Sequence, residues 1–241
     1  MAFWYRFEKL DNFYSFIFNF QDKEAAGNKM MSTIPNFRQE IADNLSQINC
    51  QEESCFGGAN AGQIDGNGYA AIRMNNGDPG LYFKGAIQIH EYTHSIHGQY
   101  IKFGGFSPCW LGEGTAHYIG LSIRSNNFKE FIDLRKDQMY RVVDGIDPNN
   151  PDDIQNKFLN IYSSNDPDSP CWRIWDHNYS LGFAIVEALG IISGPDAIMM
   201  IWKLANYGFT YEQAFESVYG VSWEKAVPIL SEVVSKYSYV N

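Results

Sequence analysis

Five consecutive residues, His90-Glu91-Tyr92-Thr93-His94, have side chains and spacing suited to a hydrolytic metal site. On a helix, residues four apart share a face, so His90 and His94 can direct two imidazoles at one ion. Zinc accepts such nitrogens at ~2.0–2.1 Å in a near-tetrahedral arrangement. Glu91 follows the first histidine, where a carboxylate can take a proton from metal-activated water. The same five residues also fit an exposed helix carrying two surface histidines. Chemistry therefore requires a further ligand, because a hydrolytic zinc site uses three protein groups and keeps one position open.

Downstream the chain reads Trp110-Leu111-Gly112-Glu113-Gly114-Thr115-Ala116-His117-Tyr118, with Glu113 nineteen positions after His94. The two stretches together resemble the gluzincin metallopeptidases, the clan of thermolysin and the M1 aminopeptidases. In that clan a glutamate on a second helix, in a W-L-x-E-G-x-A or similar segment, is the third zinc ligand. Trp110, Leu111, Glu113, Gly114 and Ala116 match that segment. The resemblance implies one Zn2+ held by His90, His94 and Glu113, with Glu91 as general base. His117 lies one helical turn beyond Glu113. Gluzincins commonly place an acid there to orient a ligand histidine through a hydrogen bond. A histidine accepts such a bond only when neutral, so His117 is either that outer partner or a buried histidine of the core. His97 does not complete an H-E-x-x-H-x-x-G-x-x-H pattern and reads as a helix-surface residue.

A third stretch is Asp176-His177-Asn178-Tyr179-Ser180-Leu181-Gly182. When a peptide carbonyl becomes tetrahedral, its oxygen gains charge. A placed donor for that oxygen contributes about 2.7–4 kcal/mol in comparable sites. In gluzincins similar to the M1 enzymes a tyrosine some sixty-odd residues past the glutamate ligand supplies it, often before x-x-Gly. Tyr179 is 66 residues past Glu113 and is followed by Gly182. His177 is the alternative donor, since the thermolysin branch uses histidine. A plain core tyrosine is the third possibility.

These residues must be positioned by helices and a small sheet. The zinc helix should run from about Tyr82 to Ile101, where Gly104-Gly105 breaks it, and Pro108 sits just before the next, roughly Cys109 to Arg124. Phe13–Phe20 alternates like a strand. Ile34, Phe37, Ile41, Leu45 and Ile48 recur at helical spacing. Gly57–Gly68 is rich in Gly, Asn and Ala and reads as loop, with Asp65-Gly66-Asn67-Gly68 a plain turn rather than a calcium loop. Tyr69–Met74 is a strand. By its place before the zinc helix, the resemblance makes Ala71, Ile72, Arg73, Met74 and Asn75 the edge strand that pairs with extended substrate, with an ordinary core strand as the alternative. The glutamate that aminopeptidases carry there is missing. Helices follow at Phe128–Val143 and Pro151–Tyr162, a loop at Ser163–Pro170, and then helices from Gly182 to the end. Thr210 with Gln213 forms a capping box, Gly220 stops that helix, and Pro228 predicts a kink in the last one.

The expected class is therefore α+β. A zincin (thermolysin-like) catalytic domain spans residues 1–241, with a small mixed N-terminal lobe over about 1–101, including the zinc helix, and a helical C-terminal lobe over 102–241. The aromatic fraction of 16% suits a filled core. Eighteen Lys plus Arg against 28 Asp plus Glu give a net charge of −10, which argues against nucleic acid or anionic membrane as the main partner. No apolar run reaches 18 residues, so no spanning helix is expected. Four cysteines permit three pairings; Cys50–Cys55 and Cys109–Cys171 are favoured. They suggest an extracellular or periplasmic protein whose signal was removed, with a cytoplasmic protein bearing four thiols as the alternative. The expected activity is zinc-dependent hydrolysis of a peptide or protein substrate. The alternatives are a catalytically silent binding module of the same fold and a hydrolase of a non-peptide amide or ester. Oligomeric state is not legible in the sequence.

Overall fold

Alternate residues of Asn12–Phe18 send large apolar side chains to opposite sides of an extended chain, and this segment forms strand β1. The computed structural model describes residues 10–47, 50–51, 54–55, 58–74, 86–100, 108–143, 147, 150, 152–153, 155–156 and 177–237. The class is α+β and mostly helical, with one three-stranded sheet and one two-stranded ribbon among the described residues. The chain divides into two compact units, Met1–Gln99 and Tyr100–Asn241. No single helix among the described residues is long and apolar enough to cross a membrane.

In the first unit, helix α1 (Lys23–Thr33) and helix α2 (Gln39–Gln47) follow β1. A short antiparallel ribbon of β2 (Cys50–Gln51) and β3 (Ser54–Cys55) comes next and sets Cys50 opposite Cys55. Strand β4 (Gly58–Ile64) then turns back into β5 (Asn67–Arg73), and helix α3 (Ala86–Tyr100) closes the unit. The sheet order is β1-β5-β4, parallel between β1 and β5 and antiparallel between β5 and β4. Asp65-Gly66 is a two-residue hairpin turn with φ of 48° and 80°, the mirror-image turn whose twist matches paired strands. Side-chain parity sorts the sheet into two faces. Tyr14, Phe16, Phe18, Tyr69 and Ala71 pack with Met30, Ile34, Phe37, Ala42 and Leu45, so α1 and α2 cover one face. Ala70, Ile72 and Phe13 pack with Ile87 of α3 on the other. There Phe13 also meets Tyr92 edge-on, with ring centroids 5.1 Å apart.

Several expectations for this unit need correction. The stripe beginning at Ile34 is not one helix. Ile34 is the extended residue that ends α1, and Asn36 takes φ 58° before α2 starts at Gln39. Turn and helix residues bury into the same core, which mimics one continuous periodicity. Ile48 lies outside the described residues. Gly57–Gly68 is largely strand β4 and not loop. Its small residues carry little strand preference of their own. They suit this place because Gly62 lies opposite Tyr69 in the ladder, where a methyl group would come within 2.7 Å of the Tyr69 ring. β1 ends at Phe18, and Phe20 begins a 3-10 turn. β5 is the central strand of the sheet, so Ala71, Ile72 and Arg73 are not on an edge. All three are paired on both sides and fully buried. Met74 donates its N–H to the Phe18 carbonyl at 2.9 Å, and Asn75 lies outside the described residues.

The second unit is helical throughout its described residues. Helices α4 (Cys109–Arg124) and α5 (Phe128–Val143) have the expected limits. A five-residue π-helical turn, His177–Leu181, leads into α6 (Gly182–Ser193), followed by α7 (Pro195–Ala205), α8 (Tyr211–Tyr219) and α9 (Trp223–Tyr237). Gly194 ends α6 at φ 79°, and Pro195 opens α7. The Thr210–Gln213 capping box is present in both directions, at 3.0 and 3.3 Å, and Gly220 closes α8 in the left-handed region. Pro228 falls inside α9 without ending it. The core stacks Trp110 on Trp223 with centroids 5.0 Å apart. A buried ion pair links α5 to α6, where Arg135 Nε meets both Glu187 oxygens at 2.7 and 2.9 Å. Among the described residues no cysteine is free, and Cys109 is disulfide-bonded. Cys171, the Pro151–Tyr162 helix for the most part, and the Ser163–Pro170 loop lie outside them.

Candidate metal centre

α3 carries His90, Glu91 and His94 within little more than one turn. The helix is fastened to the sheet by Ser95, whose buried hydroxyl lies 3.3 Å from the Tyr69 carbonyl and 3.2 Å from that of Glu91, within donating distance of both. Thr93 Oγ1 donates to the Ile89 carbonyl at 2.9 Å. These bonds satisfy the two hydroxyls along a buried stretch of α3. They leave the two imidazoles to meet each other. His90 Nε2 and His94 Nε2 are 3.0 Å apart, and the ring centroids are 4.7 Å apart at 75°. Two ligands at ~2.05 Å on a tetrahedral ion stand ~3.3 Å apart, so the nitrogen spacing is close to that of a shared ion.

Glu113 joins them. One nitrogen from each imidazole and one carboxylate oxygen of Glu113 all lie within 4.8 Å of one another. Among the described residues this is the one group of His, Cys, Asp and Glu that could hold a metal ion. His90 is buried, while His94 and Glu113 are half-buried. Two nitrogens and one carboxylate form a donor set of the kind zinc takes in hydrolytic sites. The same donors also accept other divalent first-row metals.

Glu91 is 5% exposed and is not one of the three converging groups. Its charge acts on Arg73 of β5. Burial pushes the Arg73 guanidinium below its ordinary pKa, and Glu91 pulls it back up. Arg73 is fully buried and donates to the Leu45 carbonyl at 3.1 Å and to Asn60 Oδ1 at 2.7 Å. The sequence offered Arg73 either a substrate-binding edge or an ordinary core strand; the structure has the core strand, and neither reading foresaw a buried cation whose charge is coupled to Glu91. The available signal was an arginine inside the apolar run Tyr69–Met74.

His97 departs from expectation. It is 3% exposed, and its ring lies 5.8 Å from that of His94. Four histidines of the chain are thus spread over α3 and α4, three of them buried. His117 is 4% exposed and stands outside the metal-capable group. Its ring meets Tyr179 and Phe183 edge-on, with centroids at 6.0 and 5.9 Å. Tyr179 is half-buried at the middle of the π-helical turn. His177 opens that turn, and its side chain lies outside the described part of the structure. The structure therefore brings His90, His94 and Glu113 together, and separately pairs His117 with Tyr179. Compared with known proteins, the chain matches no family model, no curated protein and no solved structure.

Proposed function

We propose that the protein is a zinc-dependent peptidase of gluzincin type with a zincin (thermolysin-like) fold. The observation that carries this reading is the convergence of His90, His94 and Glu113 on a common point, with Glu91 next to the first of them in the chain. His90, His94 and Glu113 would hold one Zn2+. When bound, the ion lowers the pKa of water and polarises a carbonyl. Glu91 takes the proton from the attacking water and later delivers it to the departing amine. Arg73 gives this carboxylate a cationic neighbour. Tyr179 donates its phenol proton in a hydrogen bond to the carbonyl oxygen as charge builds there. An extended peptide would add to β4, whose outer edge makes no ladder among the described residues, through main-chain hydrogen bonds. The disulfide at Cys109 supports an exported protein.

The test is metal analysis of the purified protein beside a peptide-library cleavage profile, with and without chelator. Zinc near one equivalent and chelator-sensitive cleavage are expected. Zinc with no cleavage of any peptide would turn the reading toward a binding module, and cleavage of small amides or esters alone toward a non-peptide hydrolase. A protein that takes up no divalent metal would end it.

A further inference from the structure

Tyr179 sits third in a π-helical turn. Such a turn widens the helix by one residue and often marks a functional site. It also means that ordinary helical geometry does not set the direction of the phenol. Contacts with α4 bear on it. A methyl group at Gly114 would lie 2.5 Å from the Gly182 carbonyl oxygen and 2.8 Å from its Cα. A methyl group at Gly182 would lie 2.5 Å from the Trp110 carbonyl oxygen. The two backbones therefore touch one residue past Glu113 and three past Tyr179. From the other side, Ser180 Oγ lies 3.4 Å from Gln138 Oε1 of α5, and the Arg135–Glu187 pair joins α5 to α6. The imidazole of His117 meets the Tyr179 ring at 85°.

We propose that His117 is a positioning residue for Tyr179. Its ring packs edge-to-face against the phenol and fixes it relative to α4, one turn beyond Glu113. Aromatic pairs in this geometry contribute beyond the area they bury, and the backbone contact at Gly114 and Gly182 gives the pair a rigid base. His117 thus acts through its ring. The proposal rests on the peptidase reading for the use made of Tyr179; the contact itself does not depend on it.

Two measurements test it. In zinc-free protein labelled with 3-fluorotyrosine, the Tyr179 fluorine resonance is assigned by its loss in Tyr179→Phe. His117→Leu, which fills the volume without a ring, should move that resonance toward the exposed-tyrosine positions, and His117→Phe should not. An unmoved resonance in His117→Leu overturns the proposal. In zinc-loaded enzyme, His117→Leu should lower kcat about tenfold with KM and zinc content unchanged, and His117→Phe should stay within about twofold, as expected for loss or retention of one aromatic pair. In a Tyr179→Phe background, His117→Leu should cost nothing further. A full loss persisting in that background, or zinc lost from both His117 variants, overturns it. If Tyr179→Phe leaves kcat unchanged, the donor role of Tyr179 fails instead, and the fluorine spectrum still decides the contact.

Discussion

Glu91 and Glu113 are chemically identical, and their different surroundings carry the different roles proposed for them. Glu113 offers a carboxylate oxygen near the point where two imidazole nitrogens meet, so Glu113→Ala removes one of the three candidate ligands. Zinc content measured after dialysis should fall to a small fraction of that in the parent protein. Glu91 stands outside that group, and Glu91→Gln keeps its shape. Zinc should remain at one equivalent while kcat falls about 10²–10⁴-fold, the usual size of a general-base contribution. Retained turnover would remove Glu91 from the mechanism. Arg73 adds a structural test, because its guanidinium serves the Leu45 carbonyl and Asn60. Arg73→Met leaves those acceptors unpaired in a buried site and should destabilise by roughly 1–3 kcal/mol, read by urea denaturation. The pairing of His90 and His94 was legible because a spacing of four fixes a helical face. Arg73 was not, because its surroundings depend on which strands flank β5, and register is a non-local property.

The starts of α4 and α5 have local causes: Pro108 precedes α4, and Asn127 Oδ1 accepts the Glu130 N–H at 3.0 Å at the start of α5. α1 escaped notice because Lys23–Thr33 has no apolar stripe, and only Gly27 and Met30 of it are buried. β4 escaped because its Gly- and Ala-rich composition resembles a loop until Tyr69 is seen opposite Gly62. The contact between α4 and α6 has a sharper consequence. On helix propensity alone, Gly→Ala should stabilise a helix by up to about 1 kcal/mol. At Gly114 the new methyl group would overlap the Gly182 backbone, and overpacking of this kind costs roughly 1–3 kcal/mol. Backbone, unlike a flexible side chain, cannot swing aside, so overpacking should win. Gly114→Ala and Gly182→Ala should both lower the urea midpoint, whereas Gly208→Ala, with nothing within 4 Å of the new group, should lose stability only through its φ of 85°. A midpoint unchanged or raised in Gly114→Ala would mean the two helices can part without cost.

At the scale of the molecule, the proposed metal would be a ligand of the folded state. The donor groups of His90, His94 and Glu113 converge only when α3 and α4 are formed, and an unfolded chain separates them by as many as 23 positions. Zinc should therefore bind the native chain in strong preference to the unfolded one and shift the folding equilibrium by mass action. With free zinc at about a hundred times its dissociation constant, the gain is about 2.7 kcal/mol. For a chain of this length each kcal/mol moves Tm by roughly 2–4 °C, so chelation should lower Tm by roughly 5–10 °C, and added zinc should restore it. The net charge of −10 alone would let many cations produce a small, salt-like rise by screening self-repulsion. Glu113→Gln separates the two effects. It changes the overall charge by one unit, which leaves screening almost intact, yet it weakens the third ligand. Differential scanning calorimetry at fixed ionic strength should show the zinc-dependent rise largely gone in that variant and the magnesium-dependent rise unchanged. Equal zinc shifts in both proteins would place the stabilising ion away from α3 and α4.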